Sequence, residues 1–284
     1  MLKIVEKSKI WFSISIVLIV ISIFSLAING LNFGIDFKGG TKILIDFGKD
    51  FSKLEVEEEI IKKYANDAVT TKVEDSQLEI KSNNLDSEKV SEMFKEIKEK
   101  YSLENSALVS QEEIGASIGK ELTKKSIIAL LVATIGMLIY VGIRFELSFG
   151  LAAILALLHD VLITLGIYSL FKIPVNSPFI AAILTIVGYS INDTIVIFDR
   201  IRENLKIMRR KDIREVADAS INQTLTRSIN TVLTTLITIV SVYIFVPAVR
   251  EFTFPITIGI LWGSYSSIFV ASPLWVLFKR KLNK

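Results

Sequence analysis

The sequence predicts an α-helical integral membrane protein, with six transmembrane helices and one α+β extracytoplasmic domain between the first two. Three observations predict it. The apolar residues gather into six runs, each near the roughly 20 residues a helix needs to cross the hydrocarbon core. Residues 29–122, between the first two runs, are mostly polar and switch between helical and alternating periods. Lys and Arg concentrate at one set of chain ends and loops, as membrane insertion favours.

The first run, 10–28, follows Lys3, Lys7 and Lys9. Such a start also suits a signal peptide, with Ser25-Leu26-Ala27 as a small-residue cleavage site. The apolar stretch outruns the usual core of about 7–15 residues, so a retained span is expected. Within 29–122, residues 42–47 (KILIDF) make a short strand after Gly39-Gly40. Residues 53–65 place Leu54, Ile60, Ile61 and Tyr64 on one helical side. Val69, Thr71 and Val73 alternate, Asp75-Ser76 turns the chain, and Leu78 and Ile80 alternate again. Residues 86–101 carry the helical stripe Val90, Met93, Phe94, Ile97 and Tyr101, with Asp86 or Ser87 as cap. A weaker strand is expected over 106–111. The order β-α-β-β-α-β is the split, ferredoxin-like arrangement.

The remaining runs are 126–143, 147–170, 178–198, 229–246 and 254–278. Loop 199–228 holds Arg200, Arg202, Lys206, Arg209, Arg210, Lys211, Arg214 and Arg227; the tail holds Lys279, Arg280, Lys281 and Lys284. The other side has only Lys172 and Arg250 in its short loops. Six spans put both termini in the cytoplasm. The expected division is 1–28 as N-terminus and first span, 29–122 as extracytoplasmic domain and 123–198 as spans two to four. A basic cytoplasmic loop at 199–228 and the last two spans with their tail at 229–284 complete it.

Charge agrees with this division. Residues 29–122 hold 13 Lys/Arg against 20 Asp/Glu, while the whole chain is +3. That balance does not suggest a nucleic-acid partner. The absence of cysteine excludes disulfides and thiolate metal sites, and one histidine, His159, leaves little for an imidazole site or a Ser-His-Asp triad. There is no G-x-x-x-x-G-K-[ST] loop for a nucleotide. No cofactor, metal or catalytic residue is expected.

The polar residues inside the spans are the informative ones, because a carboxylate at the bilayer centre costs roughly 2.5–3.5 kcal/mol on insertion scales. Ile186, Ser190, Asp193 and Ile197 share one face of the fourth span, flanked by Tyr189 and Asn192, and Gly188 allows a close neighbour. Arg227, Thr231, Thr234, Thr238 and Ser241 form a stripe on the fifth. Asp160 lies mid-helix on the third, where a satisfied interhelical hydrogen bond and an ion site are both open readings. Gly259, Gly263, Ser267 and Ala271 make a small-residue seam on the sixth. Folding a bundle does not require a carboxylate at 193, so an ion-coupling role is expected there. In FGIDFKGGT (33–41), Gly34, Asp36, Gly39 and Gly40 read as an extracytoplasmic turn motif, with Asp36 a polar turn residue.

Four stretches together resemble the SecF branch of the SecD/SecF family: FGIDFKGGT, LLHDVLITLGIYSLF, VGYSINDTIVIFDRIREN and TLTRSINTVLTTL. The resemblance covers nearly the whole chain. It implies an RND-like half bundle in a bacterial cytoplasmic membrane, a SecD-like partner, association with the SecYEG channel, and a translocating preprotein as substrate. It also implies that a proton, or a sodium ion, crossing the membrane drives preprotein export, with Asp193 and Arg227 implicated, Asn192 beside them, and Asp160 in a matching His-Asp motif. A stand-alone RND-type exporter of small molecules, a structural scaffold of the translocon and an intramembrane aspartyl protease are the rivals. The protease would need Asp160 and Asp193 to share a proton.

Overall fold

The computed structural model describes residues 2–73 and 75–282; Lys284 of the basic tail lies outside them. Six helices are long and apolar enough to cross a membrane. They are α1 (Ser8–Asn29), α5 (Ala116–Arg144), α6 (Leu147–Leu170), α7 (Ser177–Ile207), α8 (Ile213–Phe245) and α9 (Pro247–Leu282). Between α1 and α5 come α2 (Ile35–Lys38), β1 (Gly40–Asp46), a helix α3 over 53–64 with a π turn at Glu57–Ile61, β2 (Val69–Val73), β3 (Gln77–Ser82), α4 (Ser87–Tyr101) and β4 (Leu108–Ile114).

The sheet order is β2-β3-β1-β4, each pair antiparallel. Strand alternation puts Ile43, Ile45, Leu78 and Ile80 on one face, where they are buried against Val56, Ile60 and Ile61 of α3 and Val90, Met93 and Ile97 of α4. The last strand, expected to be thin, runs seven residues and pairs along β1. Asp86 caps α4 by accepting the Lys89 N–H at 2.9 Å.

Two expected boundaries shift. The stretch 199–228 is not a loop: α7 continues to Ile207 and α8 begins at Ile213. Hydropathy fades where charged residues enter, but helical hydrogen bonding does not. Asn204 Nδ2 donates to Ser220 Oγ and Gln223 Oε1, both at 2.8 Å, and Arg200 Nε donates to Gln223 Oε1 at 2.6 Å. These bonds zip the two extensions into an antiparallel hairpin. Likewise α5 starts at Ala116, well ahead of its apolar run, so the boundary at 122 falls inside a helix.

The FGIDFKGGT segment is more than a turn. Residues Ile35–Lys38 form one helical turn, and Gly39 (φ 85°) and Gly40 (φ 146°) lead from it into β1. A Cβ on Gly39 would lie 2.9 Å from the Ile114 carbonyl oxygen, so glycine is required by both φ and space. Asp36 is not a free turn residue: its Oδ2 accepts the Ser177 N–H at 2.7 Å, at the positive N-terminus of α7. Gly34 N–H donates to Val175 O and Val175 N–H to Asn32 O, tying the α1–β1 link to the α6–α7 link.

A second tie joins the sheet to α9. Lys81 Nζ of β3 lies 2.8 Å from Glu251 and 3.0 Å from Glu79, and Asn176, which precedes α7, donates to Glu251 at 3.1 Å. Burial alone would lower the Lys81 pKa, but Glu251 and Glu79 together raise it above the ordinary 10.5. Its stabilising contribution is therefore complete below 10.5 and is lost only as pH rises through the higher folded value. Lys81→Met is expected to destabilise sheet docking by about 1–3 kcal/mol, between the exposed and buried limits for ion pairs. Glu251→Gln should then cost less in the Lys81→Met background than alone, because it relieves the unpaired Glu79–Glu251 repulsion. Thermal unfolding of the four proteins of this cycle in detergent checks it; strict additivity would remove the tie.

Candidate functional site

The bundle is closest where side chains are smallest. A Cβ on Gly259 of α9 would collide with the Ile186 side chain of α7, and one on Gly263 would lie 3.1 Å from Ser190 Cβ. One turn on, Ser267 Oγ and Thr194 Oγ1 are 2.8 Å apart. The α9 seam thus packs on the Ile186, Ser190, Thr194 face of α7. A π turn over Ser267–Ala271 follows directly.

This close contact encloses Asp160 of α6, which is fully buried. Its Oδ2 accepts from Ser190 Oγ at 2.6 Å and Ser266 Oγ at 2.7 Å, and its Oδ1 lies 2.8 Å from His159 Nδ1. The His159 ring stacks on Tyr265 at 5.9 Å between centroids, and its buried Nε2 has no hydrogen-bond partner among the described residues. One carboxylate therefore joins α6, α7 and α9. Ser266 was invisible in the sequence because it stands beside the four-residue seam, not on it.

Asp193 sits on the adjacent face of α7, toward α8, and is half-buried. Its Oδ1 accepts from Ser228 Oγ at 2.7 Å, while its buried Oδ2 has no partner among the described residues. Tyr189 O–H reaches Thr235 Oγ1 at 3.4 Å one turn away. Arg227 precedes Ser228, the residue that bonds Asp193, but itself makes no direct bond to Asp193. Arg227 is exposed and lines a cavity of about 500 Å³ with Asp199, Arg200, Glu203 and Gln223. The sequence pattern found the carboxylate and the cation but not Ser228, which lies next to the polar stripe. Asp160 and Asp193 engage different partners and share no hydrogen bond, so the geometry of an aspartyl dyad is absent between them.

Two expectations are corrected. Asn192 does not flank a buried face, and Gly188 has no atom of another element of this chain within 4 Å of a built Cβ. Both are exposed, with Ala181 and Thr185, along one outward stripe of α7. The helical period that buries Ile186 and Ser190 turns 188 and 192 outward. On α8, Thr231, Thr234, Thr238 and Ser241 also face outward, each donating to its own helix backbone. The chain thus exposes an adjoining small and polar surface on two spans.

The description "Protein export membrane protein SecD/SecF, C-terminal" matches residues 90–281, and the SecD/SecF GG motif matches residues 24–50. The chain belongs to the SecD/SecF family. Among its SecD/SecF relatives, the protein translocase subunit SecF of Sebaldella termitidis is 41% identical, covering 98% of this chain and 92% of that protein. The SecF subunit of Haemophilus influenzae is 38% identical, covering 93% and 82%. The crystal structure of SecDF from Thermus thermophilus, described as a translocon-associated membrane protein, superposes with a TM-score of 0.82 at 36% identity, covering 97% of this chain. This chain spans 38% of the length of that SecDF chain.

Proposed function

We propose that this chain is the SecF-type half of a SecD–SecF pair that uses the ion gradient of a bacterial cytoplasmic membrane to help draw preproteins out through a SecYEG-type channel. The observation that carries the coupling step is Asp193: a mid-span carboxylate held by one hydroxyl, with no partner for its second oxygen among the described residues, at the edge of an outward polar surface. A polar stripe on α8 and the Gly188–Asn192 stripe on α7 are poorly suited to lipid. A SecD-like half bundle laid against them would complete an RND-like arrangement and enclose Asp193. Proton or sodium ion, the coupling species would move between Asp193 and the Arg227 cavity. The reading gives this chain no hydrolytic step and no cofactor.

The strand order β2-β3-β1-β4, with helices after β1 and β3, supports the ferredoxin-like reading of the segment between α1 and α5. The basic hairpin and both termini would face the cytoplasm and the sheet the outside. Asp36 and Glu251 then fasten the sheet to the starts of α7 and α9, the two helices that hold the serine partners of Asp160. To test the function, cells depleted of their own SecF would be given this chain with its SecD-like partner. Restored processing of a secretory precursor, abolished by a protonophore or sodium ionophore, is expected. Intact pairing without restored processing would overturn the reading.

A further inference from the structure

A cavity of about 330 Å³ lies between α5, α6 and α7, beneath the segment that leads from α1 to β1. Phe33 and Phe37 roof it, and Leu130, Val161, Phe179 and Ile183 are among its apolar walls. Among the described residues no charged side chain lines it. The Thr123 hydroxyl at its rim already donates to Gly119 O. Water entering such a space would find few partners, so its natural content is hydrocarbon. From Thr123 to Thr134 along α5 the wall is about 16 Å deep, enough for a length of acyl chain.

The surroundings identify the source of that hydrocarbon. The outer face of α5 exposes Ile128, Leu131, Val132, Ile135 and Ile139, with none of the polar stripe that marks α8. Lipid is the neighbour that face suits. At the sheet end of α5, Lys120 and Lys124 are exposed and pair with no carboxylate among the described residues, whereas Lys125 is tied to Glu121 at 2.8 Å. Helical spacing places Lys124 one turn and Lys120 two turns from Ile127 on the cavity side, with Lys124 about 4.5 Å above it along the axis. Both lysines therefore lie on the turns that carry α5 beyond the cavity toward the sheet, next to Thr123 at its rim. The short loops at this end are otherwise poor in basic residues, holding Lys172 and Arg250, and Arg250 is spent on the Tyr243 and Ile244 carbonyls.

We propose that the α5–α6–α7 cavity holds one acyl chain of an anionic phospholipid whose phosphate rests on Lys120 and Lys124. The lipid fills the space that leaves α5 only loosely seated on α6 and α7, and it braces the span that continues directly from β4. This site is independent of the ion-coupling reading and uses none of its residues.

The full chain would be reconstituted with phosphatidylglycerol carrying a photoactivatable acyl chain, and the crosslinked residues mapped by mass spectrometry. Crosslinks are expected at Leu130, Val161 and Ile183 inside the cavity. Matched phosphatidylcholine should give about thirtyfold fewer, the ratio expected for two lysines near an anionic headgroup. Lys120→Gln with Lys124→Gln, both at exposed positions, should lower the phosphatidylglycerol signal to the phosphatidylcholine level. Arg209→Gln with Arg210→Gln at the other end should leave it unchanged. Crosslinks confined to Leu131 and Ile135, equal labelling by the two lipids, or indifference to the lysine substitutions would each overturn the proposal. Displacement by inorganic phosphate alone would also overturn it, in favour of a free-anion site.

Discussion

Asp193→Asn is expected to remove gradient-driven export while leaving the bundle folded and the partner bound. Asn keeps the size of the side chain and an oxygen to accept from Ser228, so the α7–α8 contact survives. What it loses is the capacity to carry charge. One elementary charge crossing the membrane yields about 2.3 kcal/mol per 100 mV, which corresponds to a rate effect of up to about fiftyfold per 100 mV. Pulse-chase processing of a secretory precursor should therefore fall toward the level of cells lacking the chain, with co-purification of the SecD-like partner unchanged. Under the proposed coupling Arg227 contributes its charge and makes no fixed bond to Asp193, so Arg227→Lys should retain much of the activity that Arg227→Gln loses. Normal processing by Asp193→Asn would transfer the role of this bundle to scaffolding.

The spans were legible because each apolar run stands between charged ends, and α6 begins and ends where hydropathy alone places it. The helical extensions around 199–228 were not legible, since their stability comes from Asn204, Ser220 and Gln223 across a hairpin. The same limit applies to the site. A lone carboxylate in an apolar run announces itself, so Asp160 and Asp193 stood out. Their partners Ser190, Ser228 and Ser266 are ordinary residues in sequence and become specific only when three helices meet. Asn192 shows the converse: it sits beside Asp193 in the chain, yet the helix turns it to another surface. Asp36 was read from local turn chemistry, whereas its partner is the backbone of Ser177, 141 residues away.

Asp160→Ala is expected to be the most destabilising single change in the bundle, and Asp160→Asn much less so. Alanine removes the acceptor shared by Ser190 and Ser266 and the partner of His159 Nδ1, and it leaves a gap where α6, α7 and α9 meet. Interhelical hydrogen bonds in membrane proteins are worth about 0.6–1.7 kcal/mol each, so losing the two to Ser190 and Ser266 costs about 1–3 kcal/mol before the lost His159 bond and the gap are counted. Asparagine keeps an oxygen for the two serines. Its amide can donate to His159 Nδ1 if the imidazole proton moves to Nε2, which has no partner among the described residues to oppose that tautomer. A cost near 1 kcal/mol follows. Thermal unfolding of the purified chain in detergent separates the cases. Asparagine as damaging as alanine would mean that the network needs the carboxylate's charge. Alanine melting with the unaltered protein would mean that the three helices are held by the Gly259–Ile186 and Ser267–Thr194 contacts without it. The expected order, alanine well below asparagine and asparagine close to aspartate, would mark Asp160 as the hydrogen-bonded hub of the bundle, leaving Asp193 as the carboxylate free to change its charge.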